Sequence, residues 1–233
     1  MSALTNILSD FKHLFYPHIC TGCGTDILAD DNLLCAKCFV NLPATLYAQY
    51  PNNPIEKIFF GRMPVAAAHA EFYFAKESLI QHLIHQLKYK GNKEIGVYLG
   101  EMMGRTLQKS GRFNNIDGLI PLPLYPDKER KRGYNQAAVI CNGMSAVMNV
   151  PVYNNVLIRR QFTETQTKKH RIERWENVAE SFAVKNEELI KGKHLLLVDD
   201  VITTGATLEA SGSRLLKIEG VKLSIATLTT AGK

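Results

Sequence analysis

Hydrophobic residues in the second half of the chain come in short continuous runs that alternate with helical stretches. The clearest runs are DGLIPLPL, HLLLV and VKLSIATL. The stretches NQAAVICNGMSAVMNV and GATLEASGSRLLKIEG are predicted helices, and NNVLIRR and SFAVKN are predicted short strands. Continuous aliphatic strands that alternate with helices predict an α/β fold, in which helices cover both faces of a parallel sheet.

The first half of the chain has a different pattern. Partial alternation in VAAAHAEFYFA predicts a strand or hairpin, and leucines four residues apart in ESLIQHLIHQLKYKG predict a helix that Gly91 ends. KEIGVYLGEMMGRTLQKSG continues as a second helix, which its glycines weaken. The predicted division is a cysteine-rich module in residues 1–45, a linker rich in Pro, Asn and aromatic residues in 46–64, a helical segment in 65–116 and the α/β domain in 117–233.

Composition narrows the class of protein. The chain has 233 residues, of which 45% are hydrophobic, and this is enough for a globular core. No apolar run reaches the roughly 18 residues of a membrane helix, and the N-terminal stretch has no basic n-region and no small-residue cleavage site. We therefore expect a cytoplasmic protein with no membrane insertion. The net charge of +6 fits a protein that handles phosphates or nucleic acid, and fits plain solubility equally well.

Four of the five cysteines form two Cys-x-x-Cys pairs, Cys20 with Cys23 and Cys35 with Cys38. This spacing can close a tetrahedral thiolate cage around zinc. Disulfides are the alternative, and a cytoplasmic compartment disfavours them. The sequence therefore predicts a structural Zn²⁺ site, in which the metal supplies the core that some forty residues cannot bury unaided.

The string LLLVDDVITTGAT carries the most specific chemistry. Asp199 and Asp200 follow an aliphatic strand, and ligands of open α/β sheets bind beyond the carboxyl ends of the strands. The following loop opens a helix, whose N–H groups and dipole favour a phosphate. Its residues are Thr203, Thr204, Gly205, Ala206 and Thr207. Carboxylates repel phosphate, so we expect the two aspartates to accept hydrogen bonds from sugar hydroxyls instead.

This string resembles the phosphoribosyl-pyrophosphate motif of type I phosphoribosyltransferases. The resemblance implies that the acid pair holds the ribose 2- and 3-hydroxyls and that the loop wraps the 5-phosphate. LLLVDD is also similar to the Walker B strand of ATPases. That interpretation requires an upstream G-x-x-x-x-G-K-[ST] loop, which the chain lacks.

The turn after IPLPL is predicted to reach the same edge of the sheet. ERKRGYNQA offers cations, a flexible glycine and amide donors for a pyrophosphate, although a solvated basic turn would look alike. The candidates are Arg132, Gly133, Asn135 and Gln136. Lys88 could also reach a phosphate, but a helix C-terminus attracts lysines anyway.

The long polar excursion that follows, RRQFTETQTKKHRIERWENVAESF, completes a second resemblance. Together with IPLPL, ERKRGYNQA, the acid-pair motif and the cysteine pairs, it resembles the ComF (competence and DNA-utilisation) family across nearly the whole chain. A flexible loop at this place closes over the site in type I phosphoribosyltransferases. The residues that match the family pattern best are Arg159, Arg160, Thr165, Gln166, Arg171, Arg174 and Asn177. The resemblance implies that all of them except Thr165 and Asn177 bind the substrate. The family usually has an apolar residue where this chain has KKH.

These resemblances imply a function. They imply a phosphoribosyltransferase-like domain in 117–233, a hood in 65–116, and an enzyme that binds phosphoribosyl pyrophosphate with Mg²⁺. The enzyme would transfer the phosphoribosyl group to an unidentified acceptor, release pyrophosphate and serve DNA uptake or utilisation. The alternative is a non-catalytic competence protein that senses phosphoribosyl pyrophosphate, binds single-stranded DNA through the basic excursion and meets a DNA-uptake helicase.

Overall fold

A computed structural model describes residues 19–26, 28, 32–160 and 181–231 of the chain. Its centre is a four-stranded sheet in which all neighbouring strands are parallel. The strands are β1 Ala68–Phe74, β2 Gly118–Pro121, β5 His194–Ile202 and β6 Lys222–Ala231. Their spatial order is β1–β6–β5–β2, so β5 lies inside the sheet with a partner on either side.

Helices cover both faces of this sheet. The helices are α1 Ala36–Val40, α2 Pro54–Phe59, α3 Leu79–Tyr89, α4 Lys93–Ser110, α5 Pro126–Arg132, α6 Gln136–Met148 and α7 Ala206–Leu215. Apolar residues of α3, α4 and α6 form one core with one face of the sheet, and those of α2 and α7 form a second core with the other. The predicted α/β fold is confirmed.

Burial of β5 on both faces explains its unbroken aliphatic sequence. Leu195 and Leu197 belong to the core beside α7, whereas Leu196 and Val198 belong to the core beside α3, and all four are fully buried. Successive side chains of a strand point to opposite faces. The two acids that follow therefore leave the strand on opposite faces of the sheet.

The glycines of α4 have a packing role. A Cβ added at Gly100 would lie 2.2 Å from the Ile140 carbonyl oxygen, and one added at Gly143 would lie 2.1 Å from the Val97 carbonyl oxygen. The backbones of α4 and α6 therefore touch at positions where only glycine fits. The residues that weaken α4 as an isolated helix are the ones that let it pack closely on α6.

Three segments differ from the sequence-based expectations in detail. The stretch 46–64, expected to be a linker, contains a 3₁₀ turn at Tyr47–Gln49 and the helix α2. VAAAHAEFYFA forms the single strand β1, which joins the main sheet inside the expected helical segment. The short strands β3 Leu157–Arg159 and β4 Phe182–Val184 pair antiparallel with each other outside that sheet. In the part of the chain that the structure describes, no helix has the length and apolarity needed to cross a membrane.

Candidate phosphoribosyl site and cysteine cluster

Asp200 is the centre of a buried polar network at the end of β5. Its side chain is almost fully buried and forms an ion pair with Lys88, from the last turn of α3. Gln136, the first residue of α6, donates to Asp200 Oδ1 over 3.4 Å, and its own Oε1 accepts from Arg132. A line of contacts therefore runs from Lys88 through the carboxylate to the basic turn.

Asp199 has a different environment. It leaves β5 on the face that α7 covers, and its Oδ1 accepts from the Asp200 backbone N–H over 2.8 Å. Burial, followed by the charge of Asp200, raises the pKa of the Asp199 carboxyl well above its ordinary value. The hydrogen bond from the Asp200 N–H and then the charge of Lys88 oppose this rise in pKa without cancelling it. Asp199 therefore holds its proton more tightly than a free aspartate does.

The loop after β5 turns sharply into α7. Gly205 has a φ of +74°, which favours glycine, and it stands at the N-cap of α7. A Cβ at Gly205 would lie 2.7 Å from Ile58 Cγ2, so α2 packs directly under the turn. Thr203 and Thr204 are exposed, and Thr204 Oγ1 accepts from the Ala206 backbone N–H over 3.4 Å. The loop thus offers exposed hydroxyls at a helix N-terminus.

A cationic cavity of about 390 Å³ opens beside the acid pair. It lies between the end of α3 and the helix α5, and its lining residues are Lys88, Tyr89, Gly91, Lys128, Lys131 and Arg132. Four of these six residues are cations, and none of the described residues that line it is acidic. Such a cavity favours a multiply charged anion.

The other residues predicted for the site lie in several different parts of the fold. Gly133 has a φ of +82° and ends α5, while Asn135 caps α6 by accepting from Ala137 N and also donates to the Leu122 carbonyl. The Arg159 guanidinium lies 3.7 Å from the centre of the Tyr125 ring, and Arg160 lines a separate cavity of about 490 Å³ beside α7. Gln166, Arg171 and Arg174 lie outside the described residues.

Two residues near the site escaped the sequence analysis. Arg62 donates to the Thr204 carbonyl over 2.8 Å and also pairs with Glu209, so it braces the loop from the segment expected to be a linker. The Tyr134 hydroxyl donates to the Leu87 carbonyl and ties the basic turn to α3. Tyr134 stood inside the ERKRGYNQA string, whereas Arg62 carried no local signal.

The four cysteines form a compact cluster with no disulfide among them. Their Sγ atoms all lie within 4.8 Å of one another, and Cys23 Sγ is 3.7 Å from Cys35 Sγ. A tetrahedral zinc site with Zn–S bonds of about 2.3 Å requires sulfurs about 3.8 Å apart. The cluster therefore fits a zinc ion.

Local hydrogen bonds also suit a thiolate at this cluster. Burial disfavours charge on Cys20, but N–H groups of Cys35, Cys23 and Gly22 donate to its sulfur and lower its pKa to about 6. Burial and the neighbouring thiols raise the pKa of Cys38. A bound cation would remove that mutual penalty, because coordinated thiols are deprotonated.

The chain matches known proteins over most of its length. Residues 130–233 match the family described as "Phosphoribosyl transferase domain". Competence protein F of Haemophilus influenzae is 29% identical over 216 residues, which are 90% of this chain and 89% of that protein. DNA utilization protein YhgH of Escherichia coli O157:H7 is 29% identical over 138 residues, 58% of this chain and 60% of that protein's length.

A solved structure is similar at a lower level. Adenine phosphoribosyltransferase from Saccharomyces cerevisiae is 12% identical, covers 83% of this chain and 86% of its own, and has a TM-score of 0.40. The names of the two relatives agree with the competence and DNA-utilisation resemblance, and the matched domain agrees with the phosphoribosyltransferase resemblance. The chain is therefore similar to competence and DNA-utilisation proteins, and its residues 130–233 match a phosphoribosyl transferase domain that follows the four-cysteine cluster.

Proposed function

We propose that the site at the end of β5 binds phosphoribosyl pyrophosphate with Mg²⁺ and transfers its phosphoribosyl group to an acceptor. Asp199 and Asp200 accept hydrogen bonds from the two ribose hydroxyls. The loop from Thr203 to Thr207 holds the 5-phosphate with its hydroxyls and N–H groups. The cationic cavity between α3 and α5, which Lys88 and Arg132 help to line, takes the pyrophosphate.

The observation that carries this proposal is the pairing of Lys88 with Asp200. The ligand needs acceptors for its diol and cations for its pyrophosphate, a few ångströms apart. In the ligand-free protein the charges of Lys88 and Asp200 neutralise each other. When the ribose hydroxyls donate to Asp200, Lys88 becomes available to the negatively charged leaving group.

Mg²⁺ suits this site because its donors are carboxylate and substrate oxygens, the ligands that this ion prefers. A bound ion would neutralise negative charge on the departing pyrophosphate. The chain's own residues position the sugar. The bond from ribose C1 to the pyrophosphate oxygen breaks, and the acceptor's lone pair forms the new bond at C1. Positioning and electrostatics supply most of the catalysis in such a reaction.

Two measurements test the proposal on the full zinc-loaded chain. Calorimetric titration with phosphoribosyl pyrophosphate and Mg²⁺ should show binding near one ligand per chain. A screen of nucleobases and amines, read as pyrophosphate release, should then identify the acceptor. Folded protein that binds no phosphoribosyl pyrophosphate would refute the site. If phosphoribosyl pyrophosphate binds but no acceptor leads to release of pyrophosphate, the protein senses this ligand and does not transfer its phosphoribosyl group.

A second candidate function, binding of single-stranded DNA, is favoured by the surroundings of Tyr89. Its ring is 68% exposed, lies 5.0 Å from the His85 ring and faces the Arg132 guanidinium at 5.7 Å. Exposed aromatic rings among cations suit stacked bases and their phosphates.

A DNA titration at two salt concentrations tests this second function. Affinity should fall steeply with salt because counterions are released on binding. Tyr89→Ala should weaken binding, with Tyr50→Ala, another exposed tyrosine, as the control. If DNA binds independently of salt, or equally well to both variants, this surface is not a DNA site.

We also propose that the cysteine cluster holds one structural zinc ion. Elemental analysis of purified protein should find close to one zinc per chain. Four reactive thiols in zinc-free protein with an unchanged melting temperature would contradict a structural role.

A further inference from the structure

Helix α3 connects the cysteine cluster with the acid pair. It begins after its N-cap Ser78, which accepts from Gln81 N over 3.3 Å, and it ends at Tyr89, next to the acid-pair partner Lys88. Its 11 residues span about 16 Å at about 1.5 Å per residue. One rigid element therefore touches both functional centres.

The start of α3 rests against the cysteine cluster. A Cβ placed on Gly22 would lie 2.8 Å from Leu79 Cδ1 and 2.9 Å from Cys38 Sγ, so the first cysteine loop touches the first residue of the helix. Buried Cys20, Cys35 and Cys38 belong to the same apolar core as Ile80 and the later residues of α3. The position of the cluster thus helps to define where the helix begins.

The end of α3 is fixed to the proposed ligand site by two contacts. The Leu87 carbonyl accepts from the Tyr134 hydroxyl, and Lys88 pairs with Asp200. A small tilt or fraying of the helix would move both contacts. Lys88 would then leave the buried carboxylate without its cation and the pyrophosphate cavity without one of its walls.

We propose that metal occupancy of the cysteine cluster sets the affinity of the acid-pair site through α3 and Lys88. The four thiols hold their small module together only when a metal bridges them, because so few residues cannot form a stable core unaided. Loss of the metal releases the Gly22–Leu79 contact and loosens the start of the helix. The remaining core contacts of Leu83 and Leu87 keep α3 in place, so the effect is a graded loss of affinity.

This inference rests on the proposed function, and a double-mutant cycle tests it. Phosphoribosyl pyrophosphate with Mg²⁺ is titrated into zinc-loaded protein and into protein stripped by a chelator that is then removed. Affinity of the unsubstituted protein should fall about fivefold or more on stripping, the lower end of typical couplings between sites. In Lys88→Ala the same stripping should change affinity less than about twofold, since the connecting residue is absent.

Lys90→Ala is the matched control, because this exposed lysine caps the same helix. It should respond to stripping as the unsubstituted protein does. An equal response of Lys88→Ala would overturn the proposal, as would unchanged affinity of the stripped unsubstituted protein. Absence of binding in the zinc-loaded protein would instead refute the proposed function.

Hydrogen exchange of the ligand-free protein gives a readout that does not depend on binding. Stripping the metal should speed amide exchange at the last turn of α3, near residues 86–90, and leave β5 protected. Unchanged exchange in that turn would overturn the coupling even if no sugar phosphate binds.

A second variant covers the case in which the stripped protein unfolds. Leu79→Ala keeps all four thiols but removes the contact with Gly22, so the zinc-loaded variant should show the faster exchange at residues 86–90. Leu216→Ala removes a similarly half-buried leucine from the opposite core and should not. Equal exchange in the two variants would contradict the role of α3.

Discussion

The two faces of the sheet treat neighbouring carboxylates in opposite ways. On the face of α3 and α6, Asp200 is almost fully buried and has a lysine and a glutamine as partners. On the face of α7, Asp199 accepts a backbone N–H but has no cation of its own among the described residues, and its pKa is raised. The chain therefore compensates the charge of Asp200 internally and leaves Asp199 without a paired cation among the described residues.

This difference gives the two carboxyl groups of one dipeptide unequal electrostatic environments. The Asp200 network ties α3, α5 and α6 together, so its charge contributes to the stability of the free protein. Burial and the neighbouring charge of Asp200 disfavour the ionised form of Asp199. A ligand that brings positive charge or donates a hydrogen bond would stabilise that form. Carboxyl groups with a perturbed pKa are common at functional sites.

Removing both charges should produce the largest effect. Asp199→Asn/Asp200→Asn keeps the shapes but weakens two charged hydrogen bonds to the diol, worth about 1.5–3 kcal/mol each. Calorimetric affinity for phosphoribosyl pyrophosphate should fall at least about tenfold. Glu187→Gln/Glu188→Gln, a pair of exposed acids elsewhere, should bind normally. Unchanged binding by a folded double variant would exclude the acid pair from the site.

Lys88→Ala should expose the dependence of Asp200 on its partner. Breaking a buried ion pair from one side leaves an uncompensated charge and costs about 3 kcal/mol. The free energy of unfolding in urea should fall by this amount, and Lys88→Ala/Asp200→Asn should regain most of it. Lys90→Ala should stay within about 0.5 kcal/mol of the unsubstituted protein. If the double variant is as unstable as Lys88→Ala, the unpaired charge of Asp200 does not cause the loss of stability.

Gly133, directly after α5, and Gly205, directly before α7, test two sides of the candidate site separately. Gly133 and Gly205 both have positive φ, so alanine at either position costs about 1–2 kcal/mol. A Cβ at Gly205 also meets Ile58 at 2.7 Å, whereas one at Gly133 meets nothing within 4 Å. Gly205→Ala should therefore cost about 2 kcal/mol more in urea unfolding. Equal losses would mean that α2 yields to the new methyl group.

Strands, helices and the acid-pair motif could be predicted from the sequence because each has a local signal. The aliphatic run of β5 predicted a doubly covered strand, and the Thr-Gly string predicted a turn into a helix. The cysteine spacing predicted a cluster that the structure confirms. These features depend on periodicity and side-chain chemistry within a few consecutive residues.

Features that depend on distant residues could not be predicted. Lys88 at a helix end is explained by the helix dipole alone, and only the packing of α3 on the sheet brings it to Asp200. The glycines of α4 lower its helix propensity, and their purpose appears when α6 is placed beside them. Arg62 lies in a segment with no clear period, yet it braces a loop 142 residues away.

The smallest effect follows from the raised pKa of Asp199. The unfolded chain loses this proton near pH 4, whereas the folded chain retains it to higher pH because burial and Asp200 disfavour the charge. The folded state therefore binds more protons over that interval, and stability falls as pH rises through it. Asp199→Asn lacks this loss, so its advantage in melting temperature over the unsubstituted protein should grow from pH 4 upward and level off above the folded pKa. Asp200→Asn should show no such advantage, because it leaves Lys88 without its partner. Melting curves between pH 4 and 8 measure both, and a difference for Asp199→Asn that is constant or reversed in sign would contradict the unequal roles of the two carboxylates.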